Sequence, residues 1–230
     1  MRLSTVFAVV ALAAAAAPAA AQGVGDLPSR TEKVQLEGRR GESLRRPGYA
    51  LAEYTGGASA KAFNAEALGS YSKDRMSANF SVSRPGLAEP ITVTCAGGQG
   101  RLGLGWIIFK RETLNYVCEF GGAAPQGSAF SLALSEGTLL GRMMQPQRAG
   151  ELQFGEITLR TETRHISGLP IGAGAPLGYV FTRDGQAIGG IQLSGLRPAF
   201  YLPPQGSPDR DAAAVLGLIL FYFQDPAKAR

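Results

Sequence analysis

The chain has 230 residues, 45% of them hydrophobic and 18% charged, with a net charge of +5. That length and apolar share suit a single globular domain and exclude a collagen-like or fully disordered chain. An excess this modest allows weak attraction to anionic surfaces. Without a concentrated basic helix or an aromatic-basic motif it argues against a nucleic-acid partner.

The N-terminus is expected to be a secretory signal over residues 1–21. Arg2 supplies the positive start, Val6 to Ala17 the apolar stretch, and Ala19, Ala20 and Ala21 the small-residue cleavage site before Gln22. Cleavage there leaves 209 residues and lowers the net charge to +4. The protein is therefore expected in the periplasm or outside the cell. No cysteine stands directly after the expected cleavage site, so lipid attachment of the bacterial lipoprotein kind is not expected.

Residues 22–48 are polar and rich in Gly and Arg, and read as an extended N-terminal arm. Arg39, Arg40, Arg45 and Arg46 lie in it, diluted by Glu37 and Glu42. Guanidinium groups pair well with phosphate oxygens, so these four arginines are the candidate contact for an anionic lipid surface. A simple solvated linker is the competing reading.

From Tyr49 to the end, a single β domain is expected. Short apolar or alternating runs broken by Gly, Pro and Ser predict strands at 50–54, 76–82, 91–95, 106–110, 114–120, 130–134, 138–143, 151–161, 179–182 and 187–193. Residues 58–69 read as a short helix. Residues 198–204 and 168–176 read as loops with apolar tips.

Cys95 and Cys118 fall on two neighbouring predicted strands, and in an oxidising compartment they are read as a disulfide. Two buried free thiols are the alternative. With one histidine and two thiols the chain has a poor zinc set, and neither metal nor cofactor is expected.

The clearest hairpin runs from Gly178 to Leu193. Asp184-Gly185 supplies the positive φ angles of a tight primed turn. Gly189-Gly190 marks a bulge or a close backbone approach.

The C-terminus carries twelve apolar residues in a row, Ala212 to Phe223. As a helix this run is well short of the ~20 residues a bilayer crossing needs, so no membrane span is expected in the mature chain. Ser207 as cap, Pro208 at the first helical position, and Asp209 and Asp211 near the helix start predict a helix over about 208–224. A buried strand over 215–223 is the rival reading. A helix apolar on every side must be covered on every side. Gly217 within it implies close packing against a strand.

Many short antiparallel strands, a late Asp184-Gly185 hairpin with Ile188 to Ile191, and Asp209-Arg210-Asp211 leading into an unbroken hydrophobic helix together resemble the tubby C-terminal-like superfamily, which includes the phospholipid scramblase-like proteins. The resemblance implies a closed antiparallel barrel around a buried C-terminal helix. The signal peptide and the cysteine pair depart from that family, and its lipid-binding basic residues have no match here. In such a barrel Leu216, Leu218, Ile219, Leu220, Phe221 and Phe223 fill the lumen and leave no room for a ligand of the lipocalin type.

Catalytic patterns are weak. His165 is the only histidine, and no Gly-x-Ser-x-Gly elbow supplies a nucleophile for it. Ser70 and Lys73 match a Ser-x-x-Lys start with none of its companion motifs. Gly98, Gly100 and Gly103 spell a dinucleotide-type glycine pattern, but a strand rather than a helix is predicted after them. Glu112, Glu119, Glu156 and Glu162 are scattered. Trp106, Tyr116, Tyr179 and Tyr201 are candidates for a recognition surface, although aromatics on strands are usually core. The expectation is a non-enzymatic envelope protein acting through surface contacts with an anionic lipid or an envelope protein. The alternative is a secreted hydrolase whose site is assembled from distant strands.

Overall fold

A computed structural model describes residues 26–38, 48–63, 75–98, 115–134, 148–164, 166, 178–193 and 197–223. The expected signal peptide and the predicted strands at 106–110 and 138–143 lie outside the described residues. Among the described residues the chain is mainly β, an antiparallel, nearly closed barrel of 13 strands with a C-terminal helix. In chain order the elements are α1 (Leu27–Arg30), β1 (Glu32–Gln35), β2 (Glu37–Gly38), β3 (Gly48–Leu51), β4 (Tyr54–Phe63), β5 (Arg75–Val82), β6 (Ile91–Gly98), β7 (Asn115–Gly122), β8 (Ala129–Leu134), β9 (Arg148–Phe154), β10 (Ile157–Thr163), β11 (Gly178–Arg183), β12 (Gln186–Gln192), β13 (Ala199–Leu202) and α2 (Arg210–Tyr222).

From β3 to β13 every strand pairs with its successor, and the two ends of this meander meet through one short stretch of chain. β1 pairs with β13 from Glu32↔Leu202 to Gln35↔Ala199. β2 pairs with β3 through Glu37↔Ala50 and Gly38↔Tyr49. Only Leu36 separates β1 from β2, so one segment carries the ladder of one sheet edge in its first half and of the other edge in its second. This corrects the arm reading for residues 32–38: Glu32–Gly38 is the closing strand. Exposed Lys33, Glu32 and Glu37 hid it, because a strand with few buried side chains has no apolar alternation to read.

Both half-ladders stop for local reasons. Continuing the β1 register would set Leu36 opposite Pro198, which has no N–H to donate. Continuing the β2 register would run past Leu51 into the turn at Ala52 (φ 52°) and Glu53 that leads to β4. Among the described residues the closing strand therefore lacks a backbone partner on the β3 side of its first half and on the β13 side of its second half.

Three further expectations are corrected. The helix predicted at 58–69 is β4 as far as Phe63, paired with β5 from Ala58↔Phe80 to Phe63↔Arg75. The helix preference of its alanines is a fraction of a kcal/mol per residue, and a complete ladder outweighs it. The single strand predicted at 151–161 is a hairpin, with Phe154 opposite Ile157 across a turn at Gly155 (φ +60°). The loop predicted at 198–204 contains β13, all four of whose residues are buried. A strand covered on both faces reads as an unbroken apolar run rather than an alternating one. Its outer cover comes from Leu27 of α1 and Ile166, which cluster with Val180, Ala187, Ala199 and Tyr201.

Several local expectations hold. Asp184 (φ 51°) and Gly185 (φ 79°) make the β11–β12 turn. The register slips between Phe181↔Gly189 and Thr182↔Ala187, which leaves Ile188 as the bulged residue. A Cβ on Gly189 would lie 2.7 Å from the Tyr201 carbonyl oxygen, and one on Gly190 would lie 2.6 Å from that of Tyr179.

Helix α2 begins two residues later than predicted. Its cap is Asp209, which makes no side-chain capping bond, and Ser207 and Pro208 form the turn before it. Every residue from Ala212 to Leu220 is buried. The helix packs on β5, β9, β10, β12 and β13. Gly217 has the reason expected of it, since a Cβ there would sit 2.8 Å from the ring of Phe200 on β13.

Cys95 and Cys118 face each other across β6 and β7 and are disulfide-bonded, with both residues buried. The bond closes a loop with a sequence separation of 23, worth about 3 kcal/mol in the chain-entropy model. Replacing both cysteines by alanine is expected to lower the unfolding free energy by about that amount. Guanidinium melts of the variant against the oxidised wild type measure it, and coincident midpoints would assign the bond no stabilising role.

Candidate functional site

Charged residues gather where α2 begins. Arg210, only 3% exposed, aims its guanidinium at three elements. Its Nε and Nη2 donate to the two carboxylate oxygens of Glu53 at 2.5 and 2.9 Å. Nη2 also donates to Glu32 Oε2 at 2.7 Å, and Nη1 donates to the carbonyl oxygen of Pro203. Glu32 stands on β1 and Glu53 in the β3–β4 turn, so this fork spans the gap where the closing strand has no ladder partner on the β3 side. An arginine clasp replaces the missing backbone bonds there.

Next to it, Arg84 grips Asp211 in a second bidentate fork, with Nε 2.8 Å from Oδ1 and Nη2 2.6 Å from Oδ2. The Tyr54 hydroxyl donates to the same Oδ1 at 2.7 Å. Arg183 on β11 pairs with Asp209. The two aspartates expected to serve the helix start thus each hold a cation, Arg183 from β11 and Arg84 from the connection after β5, and Asp211 still lies in the first turn, where the helix dipole favours it. A recess of about 430 Å³ opens over this cluster, lined by Glu53, Tyr54, Arg84, Arg210, Asp211 and the turn Gln205–Pro208.

The protonation states suit a clasp rather than a reaction centre. The hydrogen bond from Arg210 holds the Glu53 carboxyl below the ordinary carboxylate range. Burial, with the bond to Asp211, pushes the Tyr54 phenol above its ordinary value. Bonding to Glu53 raises Arg210, and bonding to Asp211 raises Arg84. Each shift moves a titration away from neutral pH, whereas a general acid or base works best when its pKa lies near the operating pH.

A second recess, of about 630 Å³, opens at the other unpaired half of the seam. Gln35, Leu36, Glu37 and Gly38 line it from the closing strand, Arg197 and Pro198 from the segment leading into β13, and Phe221 from α2.

Of the residues singled out in the sequence, Cys95 and Cys118 are brought together. Arg39, Arg40, Arg45 and Arg46 lie outside the described residues, as do His165, Ser70, Lys73, Gly100, Gly103, Trp106 and Glu112. Tyr116, Tyr179 and Tyr201 are buried and belong to the packed interior, not to a recognition surface. Glu119, Glu156 and Glu162 are exposed on separate strands and turns. Among the described residues no three His, Cys, Asp or Glu side chains gather as a metal set. Sequence reasoning missed Arg210, Glu53, Glu32 and Arg84. The one legible signal was a charged residue set directly against an apolar run, and its partners are 157 and 178 positions away.

The chain matches no protein-family model, no curated protein and no solved structure.

Proposed function

We propose that the protein is an exported, non-enzymatic envelope protein, a barrel closed around its own C-terminal helix that works through contacts on its outer surface. The observation that carries this reading is the burial of α2 from Ala212 to Leu220. Three successive residues beyond it point at different parts of the sheet. Phe221 lies 5.9 Å from Phe200 on β13, Tyr222 lies 5.6 Å from Phe80 on β5, and Phe223 lies 4.8 Å from Tyr116 on β7. Successive helical side chains diverge by about 100°, so cover on all three directions is what a surrounding wall would give. Side chains then fill the space a lipocalin-type barrel gives to its ligand. This is also the architecture implied by the tubby-like resemblance. A disulfide is the bond expected of an oxidising compartment.

The surface partner is an anionic lipid headgroup or an envelope protein, and the arginine-rich stretch from Arg39 to Arg46 supports the former. Each arginine near an anionic surface contributes about 1 kcal/mol. Replacing Arg39, Arg40, Arg45 and Arg46 together by alanine is therefore expected to weaken binding to phosphatidylglycerol vesicles by roughly two to three orders of magnitude at low salt. Vesicle co-sedimentation across a salt series measures this. Binding that is absent, insensitive to salt, or unchanged in the four-arginine variant counts against the lipid reading.

A further inference from the structure

The seam of the barrel is closed in two different ways, and one half is left open. At the α2 start the Arg210 clasp fills the missing ladder. At the other half none of the described residues does. The register of β1 would place Glu37 directly opposite Arg197, yet the two form no ion pair, and the recess of about 630 Å³ lies between them. Pro198 ends the β1–β13 ladder beside it.

The lining of this slit has an order. Leu36, Pro198 and Phe221 are half-buried and supply an apolar interior. Arg197 and Glu37 are exposed at its two sides and, among the described residues, neither has an ion-pair partner. The volume falls in the range of small-molecule sites, which combine an apolar lining with a few placed polar groups. A single acyl chain matches the interior. A headgroup carrying both charges matches the rim, with phosphate against the Arg197 guanidinium and ammonium against the Glu37 carboxylate. A purely anionic amphiphile would meet the Glu37 charge unpaired, and a purely cationic one would meet that of Arg197.

We propose that the slit between Gln35–Gly38 and Arg197–Pro198 is a binding site for one zwitterionic, single-chain phospholipid of the lysophosphatidylethanolamine type, its chain lying against Phe221. The inference uses none of Arg39, Arg40, Arg45 and Arg46, so it stands or falls separately from binding to anionic vesicles.

Isothermal titration of the full chain with a short-chain lysophosphatidylethanolamine, kept below its micelle concentration, tests the assignment. One site per chain is expected. Arg197→Glu and Glu37→Lys are each expected to weaken uptake by roughly tenfold, since each sets like charges together. Leu36→Trp, at a half-exposed position, is expected to fill the slit and abolish uptake, with circular dichroism confirming that all three variants keep the fold. The variant lacking Arg39, Arg40, Arg45 and Arg46 is expected to bind like the wild type. The proposal is overturned if the wild type takes up no lipid, if both charge reversals leave uptake unchanged, or if laurate binds as tightly as the lysophospholipid. It is equally overturned if sedimentation shows a dimer that Arg197→Glu dissociates while no lipid is bound, because the slit would then be a contact between two copies of the chain.

Discussion

Ile219→Asp is expected to abolish cooperative folding at neutral pH. Ile219 is fully buried in α2, among Ala212 to Leu220. A carboxylate there leaves water without a partner, at an effective cost of several kcal/mol. Typical domains have only about 5–15 kcal/mol of total stability, so this one change consumes most of it. Ile219→Val, which removes one methyl group, is expected to cost only about 1 kcal/mol and to leave a native-like protein. Circular dichroism and guanidinium melts of the pair provide the test. An Ile219→Asp protein that unfolds cooperatively near the wild-type midpoint would place this face of the helix in contact with water and remove the plugged barrel as an architecture.

Arg210→Met should be the second most damaging single change. Breaking a buried ion pair by removing one partner typically costs 3–5 kcal/mol, because the other charge stays behind uncompensated. The lower end, about 3 kcal/mol, is expected here, since the Glu53 side chain is 25% exposed and that of Glu32 is 43% exposed, so both can recover some hydration. The loss also carries a pH signature. Glu53 is depressed below its unfolded value by the Arg210 hydrogen bond. Its contribution is therefore fully present above the unfolded carboxylate pKa of about 4.3, and it is lost as pH falls through the lower folded value. Wild-type stability should fall with acid over that window, and Arg210→Met should flatten the Glu53 part of the slope. Denaturant midpoints measured from roughly pH 3 to 7 read both effects. A loss below about 1 kcal/mol with an unchanged acid slope would show that the seam does not depend on the clasp.

The clasp accounts for how such a short closing strand holds a large sheet together. β1 and β2 contribute six residues between them, and each half is paired on one side only. Backbone pairing alone would leave two open edges, which natural sheets rarely tolerate. Arg210 joins one pair of edges through side chains and ties them to the start of α2. The other pair stays apart, and the slit is the result.

Local chemistry made much of this chain legible. The Asp184-Gly185 turn, the Gly189-Gly190 irregularity and the reason for Gly217 each rest on one residue's conformational range or missing Cβ, which the sequence states directly. The C-terminal helix was legible because an apolar run after Ser-Pro-Asp has few other outcomes. The disulfide needed only two cysteines on neighbouring strands. What the sequence could not carry were the pairings that bridge long separations. β1 and β2 have little apolar pattern, and their place follows from where β13 and β3 run out. β13 looked like a loop because both its faces are covered, and alternation appears only when one face meets water. Glu32, Glu53 and Arg210 lie 21 and 157 positions apart along the chain, and no local pattern links them. Turns, caps and apolar runs are written residue by residue, whereas the closing of the barrel and the ion pairs that clasp it exist only once distant segments have met.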